Sequence, residues 1–185
     1  TMQNLIVDAR ISLSKLHVIP CGTKMIKQKS NTKSKFMPKW GNAFVIGNIS
    51  RLTREKGQDY LIRSMPLVRK KIPSIRMLLV GDGPDKKYYQ QLVKKLHLEK
   101  HILITGFVED VSKYYDRMDI FVFPTVWELE GFGVVLIEAM MHKVPIIGND
   151  IGPVPEIIDE GKTGLLVPTR NEKALAQAII TLFEN

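Results

Sequence analysis

Short apolar runs alternate with longer amphipathic stretches along most of this chain. The runs are rich in Val, Ile, Leu and Phe and are too short for buried helices, so we interpret them as strands. In the stretches between them, apolar residues recur every three or four positions, which is typical of helices that pack on one face. The predicted strands are residues 43–49, 77–80, 102–105, 119–123, 145–147 and 165–167.

The helix predicted over residues 58–72 shows this spacing most clearly, with Leu61, Met65 and Val68 on one side. Pro66 lies inside it and should bend it, because proline lacks the N–H for a helical hydrogen bond. Asn171 is a plausible N-cap for the last helix. The other predicted helices end near residue 96, surround residues 111–115, run from 133 to 142, and occupy residues 155–159.

Apolar strands that are each followed by a helix indicate a parallel sheet covered by helices on both faces. We therefore predict a three-layer α/β domain over residues 43–185, with a sheet of about six strands. Such sheets bind ligands at the carboxyl ends of their strands, so the loops after the strands are the places to look for chemistry. These loops are residues 50–57, 81–84, 106–110, 124–133 and 148–155.

Residues 1–42 do not follow the alternation, and we interpret them as a linker segment with a basic loop. Residues 16–19 are compatible with one strand, whereas residues 21–41 are polar, lysine-rich and without periodicity. Ten Lys or Arg and no acidic residue lie between Asp8 and Glu55, although the net charge of the whole chain is only +8. A solvated loop beside a cleft explains this cluster, and attraction to membrane phosphates or a nucleotide is the alternative.

Other features restrict the class of protein. Nucleic acid is disfavoured as a partner, because aromatic residues are not interleaved with the basic ones. No stretch approaches the roughly 20 apolar residues of a membrane span, and no signal peptide is visible. The single Cys21 excludes an internal disulfide. We therefore expect a cytoplasmic protein, with peripheral contact at the inner face of a membrane as the alternative.

Two cations follow the first predicted core strand. Arg51 and Lys56 flank a turn, and Gly57 opens the next helix. A diphosphate is bound by such cations together with the N–H groups of a helix N-terminus. The pair Gly81 and Gly83 also follows a strand, but the third glycine of a dinucleotide fingerprint is missing. We interpret these two glycines as a tight turn between strand and helix, which disfavours a Rossmann oxidoreductase.

Two carboxylates, Glu130 and Glu138, bracket a turn that contains glycine. Glu138 has apolar neighbours in its predicted helix, where a carboxylate is costly to bury without hydrogen bonds. Sugar hydroxyls are suitable donors to it, because an ionised carboxylate only accepts hydrogen bonds. A purely structural alternative is that Glu138 reaches solvent or caps a backbone amide. Glu128 also precedes the turn, so the pattern alone does not separate it from Glu130.

Several motifs occur in order along the chain. They are residues 47–52 (GNISRL) with 56–57 (KG), 80–84 (VGDGP), 121–124 (FVFP), 130–140 (EGFGVVLIEAM), 155–158 (PEII), 161–167 (GKTGLLV) and, before the domain, 18–22 (VIPCG). Together these motifs resemble the C-terminal, donor-binding half of a retaining GT-B glycosyltransferase of the group 1 family, with a Rossmann-like fold. Thr125 stands where that family usually has Ser, and Cys21 where it usually has Asn.

The resemblance implies a role for each matching residue. Arg51 and Lys56 would hold the diphosphate of a UDP- or GDP-sugar, and Glu138 the ribose hydroxyls. Glu130 would hold the donor sugar, so that Arg51, Lys56 and Glu130 are the expected catalytic residues. The remaining implied contacts come from the loop Gly106, Phe107 and Val108, which would face the base, and from the backbone of Gly131, Phe132 and Gly133, which would contact the sugar.

The resemblance also implies a reaction. The sugar would be transferred with retention to a glycan or lipid-linked acceptor, without a metal or other cofactor, and cations would stabilise the departing diphosphate. The acceptor site of the family lies on an N-terminal domain, so we expect these 185 residues alone to bind a donor without transferring it. A nucleotide-binding regulatory module and a GT-B sugar-nucleotide epimerase remain alternatives. The sugar, the base and the acceptor are left open.

Overall fold

The computed structural model describes residues 40–185. Strands and helices alternate through this part of the chain, as the sequence pattern predicts. The strands are β1 (Val45–Ile49), β2 (Arg76–Val80), β3 (Ile102–Gly106), β4 (Ile120–Phe123), β5 (Ile146–Asn149) and β6 (Gly164–Val167). The helices are α1 (Gln58–Lys71), α2 (Lys86–Lys95), α3 (Ser112–Tyr115), α4 (Val134–Met141), α5 (Val154–Ile157) and α6 (Glu172–Glu184), and a 3-10 turn (Arg54–Lys56) precedes α1.

The six strands form one parallel sheet in the order β3-β2-β1-β4-β5-β6. The predicted α/β class and the six-stranded parallel sheet are therefore confirmed. The order reverses between β1 and β4, because β2 lies on one side of β1 and β4 on the other. A reversal of this kind opens a crevice at the carboxyl ends of the strands, where ligands bind in doubly wound sheets.

Apolar side chains pack on both faces of the sheet. Alternate residues of one strand point to opposite faces, so Val45 and Ile46 of β1 belong to two different clusters. Ile46 packs in the cluster built with α1, α2 and α6, whereas Val45 packs in the one built with α3, α4 and α5. Both faces are thus covered, which explains why the strands are apolar throughout rather than alternating.

The ends of the elements differ from the predicted ends by one or two residues, as frayed termini usually do. The helix α1 continues through Pro66 to Lys71. Asn171 caps α6 as predicted, because its Oδ1 accepts a hydrogen bond from the Ala174 amide at 3.0 Å. The expected strand at 16–19 and most of the loop at 21–41 lie outside the described residues. The boundary between 42 and 43 stays a prediction, because residues 1–39 before it lie outside the described part of the chain.

Within residues 40–185, no helix combines the length and the apolar character that crossing a bilayer requires.

Candidate functional site

The cations predicted to bind a diphosphate lie in the loop after β1, at the switch point of the sheet. Arg51 is exposed and borders a cleft, whereas the Lys56 side chain is only 18% exposed. Gly57 follows with a φ of +67° and begins α1. A Cβ at this position would overlap the carbonyl oxygen of Pro124, so the close approach of the two loops requires glycine.

Lys56 and Glu130 form an ion pair. The Lys56 Nζ lies 2.8 Å from Glu130 Oε1 and 2.6 Å from Oε2, and the Glu130 side chain is only 9% exposed. The Thr125 Oγ1 lies 3.1 Å from Glu130 Oε2 and can donate to it. The Lys56 Nζ also lies 5.8 Å from the centre of the Trp127 ring. The structure therefore brings together a candidate phosphate ligand and a candidate sugar ligand from loops that follow different strands.

Glu138 lies in the second turn of α4 and has a partner that we did not predict. The Tyr115 hydroxyl, from α3, lies 3.0 Å from Glu138 Oε2 and 3.1 Å from the Val135 carbonyl oxygen. Tyr115 is fully buried. Burial, followed by the charge of Glu138, raises the pKa of the Tyr115 phenol far above its usual value. The hydroxyl therefore stays protonated and donates a hydrogen bond to the carboxylate.

A cleft of about 440 Å³ opens beside Arg51 at the carboxyl ends of β1, β2 and β3. Phe107 stands at its border and is 80% exposed, whereas Gly106 is buried behind it with a φ of +80°. Lys86 donates to Asp82 Oδ2 at 2.8 Å and lowers the pKa of that carboxyl. The cleft is lined by Ile49, Ser50, Arg51, Val80, Gly81, Asp82, Phe107, Val108, Val111 and Val135.

The glycines of the motifs serve two structural purposes. Gly133 has a φ of +67° and caps the N-terminus of α4, while Gly131 is exposed and Phe132 half-buried in the loop before it. Gly81 and Gly83 allow close packing, because a Cβ on either would overlap the backbone of the β1 loop. This close packing agrees with the interpretation of these two glycines as a tight turn.

The structure adds residues that the sequence patterns did not identify as part of the site. In the sequence pattern Tyr115 belongs only to the short helix predicted around residues 111–115, and Thr125 differs from the usual Ser of the family that the motifs resemble. Nothing in the local pattern shows that Tyr115 reaches Glu138, since the two are 23 positions apart. Among the described residues, no group of three or more His, Cys, Asp or Glu side chains has the arrangement of a metal site.

The comparisons with known proteins agree with this geometry. The sequence matches the family described as glycosyl transferases group 1 over residues 30–185. The chain belongs to this family. A relative in Mycolicibacterium smegmatis, named GDP-mannose-dependent alpha-(1-6)-phosphatidylinositol monomannoside mannosyltransferase, is 31% identical over 146 residues, which are 75% of this chain and 38% of that protein.

Solved structures of glycosyltransferases resemble the chain as well. Anabaena Alr3699/HepE in complex with UDP aligns with a TM-score of 0.73 and 29% identity, over 78% of this chain and 40% of that one. A mutant of S. aureus TarM in complex with Fondaparinux, alpha-GlcNAc-glycerol and UDP aligns with a TM-score of 0.82 and 25% identity, over 100% of this chain and 36% of that one. The group 1 glycosyltransferase chain thus spans about two fifths of the mannosyltransferase and of the Anabaena protein named here.

Proposed function

We propose that this domain binds a nucleoside-diphosphate sugar and serves as the donor half of a glycosyltransferase. The observation that carries the proposal is the ion pair of Lys56 and Glu130 at the switch point of the sheet, where Lys56 and Arg51 belong to the same loop after β1. Such a pair places a cation for phosphate next to an acceptor for sugar hydroxyls. A glycosyltransferase breaks the bond between the sugar and the diphosphate of its donor, so it needs a ligand for each of these two groups.

The proposal assigns each part of the donor to a group of residues. Arg51 and Lys56 hold the diphosphate, Glu138 the ribose, and Glu130 with the loop at Gly133 the sugar. The base lies in the cleft beside Phe107, whose exposed ring offers a face for stacking. The names of the similar proteins support donors of both kinds, since one relative depends on GDP-mannose and two neighbours were solved with UDP.

The proposed reaction is transfer with retention. The bond between the anomeric carbon and the diphosphate oxygen breaks, and the electron pair leaves with the nucleoside diphosphate. Arg51 and Lys56 stabilise the negative charge that grows on the leaving group, which is worth most where water is excluded. The acceptor oxygen forms the new bond on the same face of the sugar, and its proton passes to the oxygen of the departing diphosphate. No metal or other cofactor is required in this scheme, because the two cations neutralise the diphosphate.

The acceptor is proposed to bind on a second domain of the complete protein. The chain covers only 38% of the mannosyltransferase that it resembles, and the described residues supply no second sheet. Closure of two domains would position the acceptor and exclude water. A glycan or a lipid-linked acceptor fits the proposal, with peripheral contact of the complete protein at the inner face of a membrane. The cytoplasm is the proposed location.

Calorimetric titration of the chain with UDP, GDP and ADP in EDTA tests the proposal, and a thermal-shift panel with the corresponding sugars identifies the preferred donor. A ligand at 100 times its dissociation constant should add about 2.7 kcal/mol to the free energy of unfolding. Binding that requires Mg²⁺ or Mn²⁺, or no binding of any nucleotide, would contradict it. Product analysis of the full-length protein then separates transfer from binding without turnover and from epimerisation.

A further inference from the structure

The hydroxyl of Tyr115 is the one hydrogen-bond donor that the described structure gives to the side chain of Glu138. Neither Tyr115 nor Glu138 is among the residues that line the cleft. Val111, one turn before Tyr115, and Val135, one turn before Glu138, both line the cleft wall. Tyr115 and Glu138 therefore meet within one helical turn of residues that line the cleft, although they come from different helices.

The surroundings fix the Tyr115 ring. The ring is fully buried and stacks on the His142 ring, with centroids 5.2 Å apart and planes at 20°. His142 is held in turn by Asp116, whose Oδ1 lies 2.7 Å from His142 Nδ1. A phenol held in this way keeps its hydroxyl in one place. Its hydrogen bond to an ionised acceptor is stronger than one between neutral groups, so the carboxylate is the preferred acceptor.

We propose that Tyr115 is a positioning residue, which holds the Glu138 carboxylate in the rotamer that accepts the hydroxyl groups of the donor ribose. This inference rests on the proposed function of Glu138 as the ribose ligand. A carboxylate on a long side chain samples several rotamers. A ligand that needs one of these rotamers binds more weakly, because binding must restrict the side chain to it. The donation from Tyr115 to Oε2 restricts the carboxylate before the nucleotide arrives. The other oxygen, Oε1, and the free lone pair of Oε2 remain for ribose.

The experiment compares nucleoside diphosphates that differ only in the ribose. The dissociation constants of UDP and GDP are measured against their 2′,3′-dideoxy forms by calorimetry, for the parent chain and for Tyr115→Phe. The variant removes the hydroxyl and keeps the ring. The preference for intact ribose should fall by about three- to tenfold, the effect of one net hydrogen bond, while binding of the dideoxy form stays unchanged. An unchanged or increased preference would overturn the proposal.

A control and a second variant separate positioning from structural support. Tyr114→Phe changes a buried tyrosine of the same helix and should leave the ribose preference unchanged. Glu138→Asp keeps the charge but withdraws the carboxylate from the Tyr115 hydroxyl, so it should lose ribose preference as Tyr115→Phe does. If Glu138→Asp keeps the full preference, the geometry that we assign to the carboxylate is wrong, even where Tyr115→Phe fails to fold.

The double variant decides whether Tyr115 acts through Glu138. In the Glu138→Gln background, Tyr115→Phe should cause no further loss of ribose preference, because the two changes remove the same interaction. A full additional loss would overturn the proposal, since Tyr115 would then act on the ribose or the fold directly. Failure of the parent chain to bind any nucleotide would reject the proposed function. Normal binding with an unaffected Tyr115→Phe would reject this inference alone.

Discussion

Neutralising Glu130 should strengthen the binding of a nucleoside diphosphate that lacks the sugar. The Lys56 Nζ lies 2.8 and 2.6 Å from the two Glu130 carboxylate oxygens. Glu130 is therefore paired with the cation that the diphosphate is proposed to use. A bound phosphate would also lie close to a negative charge. Glu130→Gln removes the charge and keeps the size of the side chain, so Lys56 becomes available to phosphate.

The gain can be estimated from Coulomb's law. A phosphate that contacts Lys56 from the side away from Glu130 would lie about 6 Å from the carboxylate, and two unit charges at that distance repel by about 3 kcal/mol at an effective dielectric constant of about 20. Screening lowers this value, because the Lys56 side chain is 18% exposed. We expect the dissociation constant of UDP or GDP to fall by roughly five- to thirtyfold, or about 1 to 2 kcal/mol.

Relative to the free nucleoside diphosphate, the sugar nucleotide should lose affinity for the Glu130→Gln variant. If Glu130 accepts hydrogen bonds from the sugar, Glu130→Gln loses about 1.5 to 3 kcal/mol of that interaction, the range for bonds to a charged group. The ratio of the two affinities, sugar nucleotide over nucleoside diphosphate, should therefore fall by roughly tenfold or more. Calorimetry with each ligand in EDTA gives both constants for the same preparation.

Glu128→Gln is the matched control for this experiment. Glu128 is exposed on the same loop, so the substitution makes the same change of net charge two positions away. It should change the affinity for the diphosphate by less than about 0.5 kcal/mol, because exposed charges interact weakly. Equal gains from both variants would mean that only the general charge matters. Weaker binding of UDP and GDP to Glu130→Gln would refute the view that the carboxylate competes with phosphate.

Three further outcomes follow from the structure. Arg51→Ala should weaken diphosphate binding by about 1.5 to 3 kcal/mol in calorimetry, whereas Lys70→Ala, at the far end of α1, should change it by less than about 0.5 kcal/mol; equal losses would indicate general electrostatics. Gly57→Ala should lower the free energy of unfolding in urea by about 2 kcal/mol or more, because of the positive φ and the overlap with a backbone carbonyl; an unchanged midpoint would contradict this. Burial raises the pKa values of Tyr89 and Tyr115 in the folded chain, so these two phenols lose their protons at lower pH when the chain is unfolded. The free energy of unfolding should therefore fall as pH rises above about 10. Phenolate absorbance should show both residues ionising only on unfolding, and a single phase for all tyrosines would be inconsistent with this.

The layers of the fold could be predicted because each local signal agrees with the global arrangement. The apolar run at Val45–Ile49 is buried on both sides, so its lack of alternation already indicates a covered parallel sheet. The N-cap at Asn171 is local in the same sense, since the hydrogen bond that defines it spans three residues. The order of the strands could not be predicted in this way, because it depends on which crossover packs on which face. No spacing within one run of the chain contains that information.

In the site, too, local motifs predicted some features and not others. The roles of Arg51, Lys56 and Glu130 were expected from motifs that lie in separate loops, but their contacts were not. Lys56 and Glu130 are 74 positions apart and meet only because β1 and β4 are neighbours in the sheet. The contact of Tyr115 with Glu138 likewise depends on how α3 and α4 pack on one face of the sheet. A motif thus identifies which residue types are present, whereas the fold decides which of them touch.

The half-buried charges at the switch point make Lys56 and Glu130 dependent on each other even without ligand. Lys56→Met leaves a carboxylate that is 9% exposed with Thr125 as its remaining side-chain partner, and an unpaired buried charge destabilises a fold by about 2 to 4 kcal/mol. The double variant Lys56→Met with Glu130→Gln removes both charges. Urea unfolding should therefore place it about 1 to 3 kcal/mol above the single Lys56→Met variant in stability, although it carries one more substitution. If the double variant is less stable than the single one, the Glu130 carboxylate does not depend on Lys56, and solvent must stabilise its charge instead.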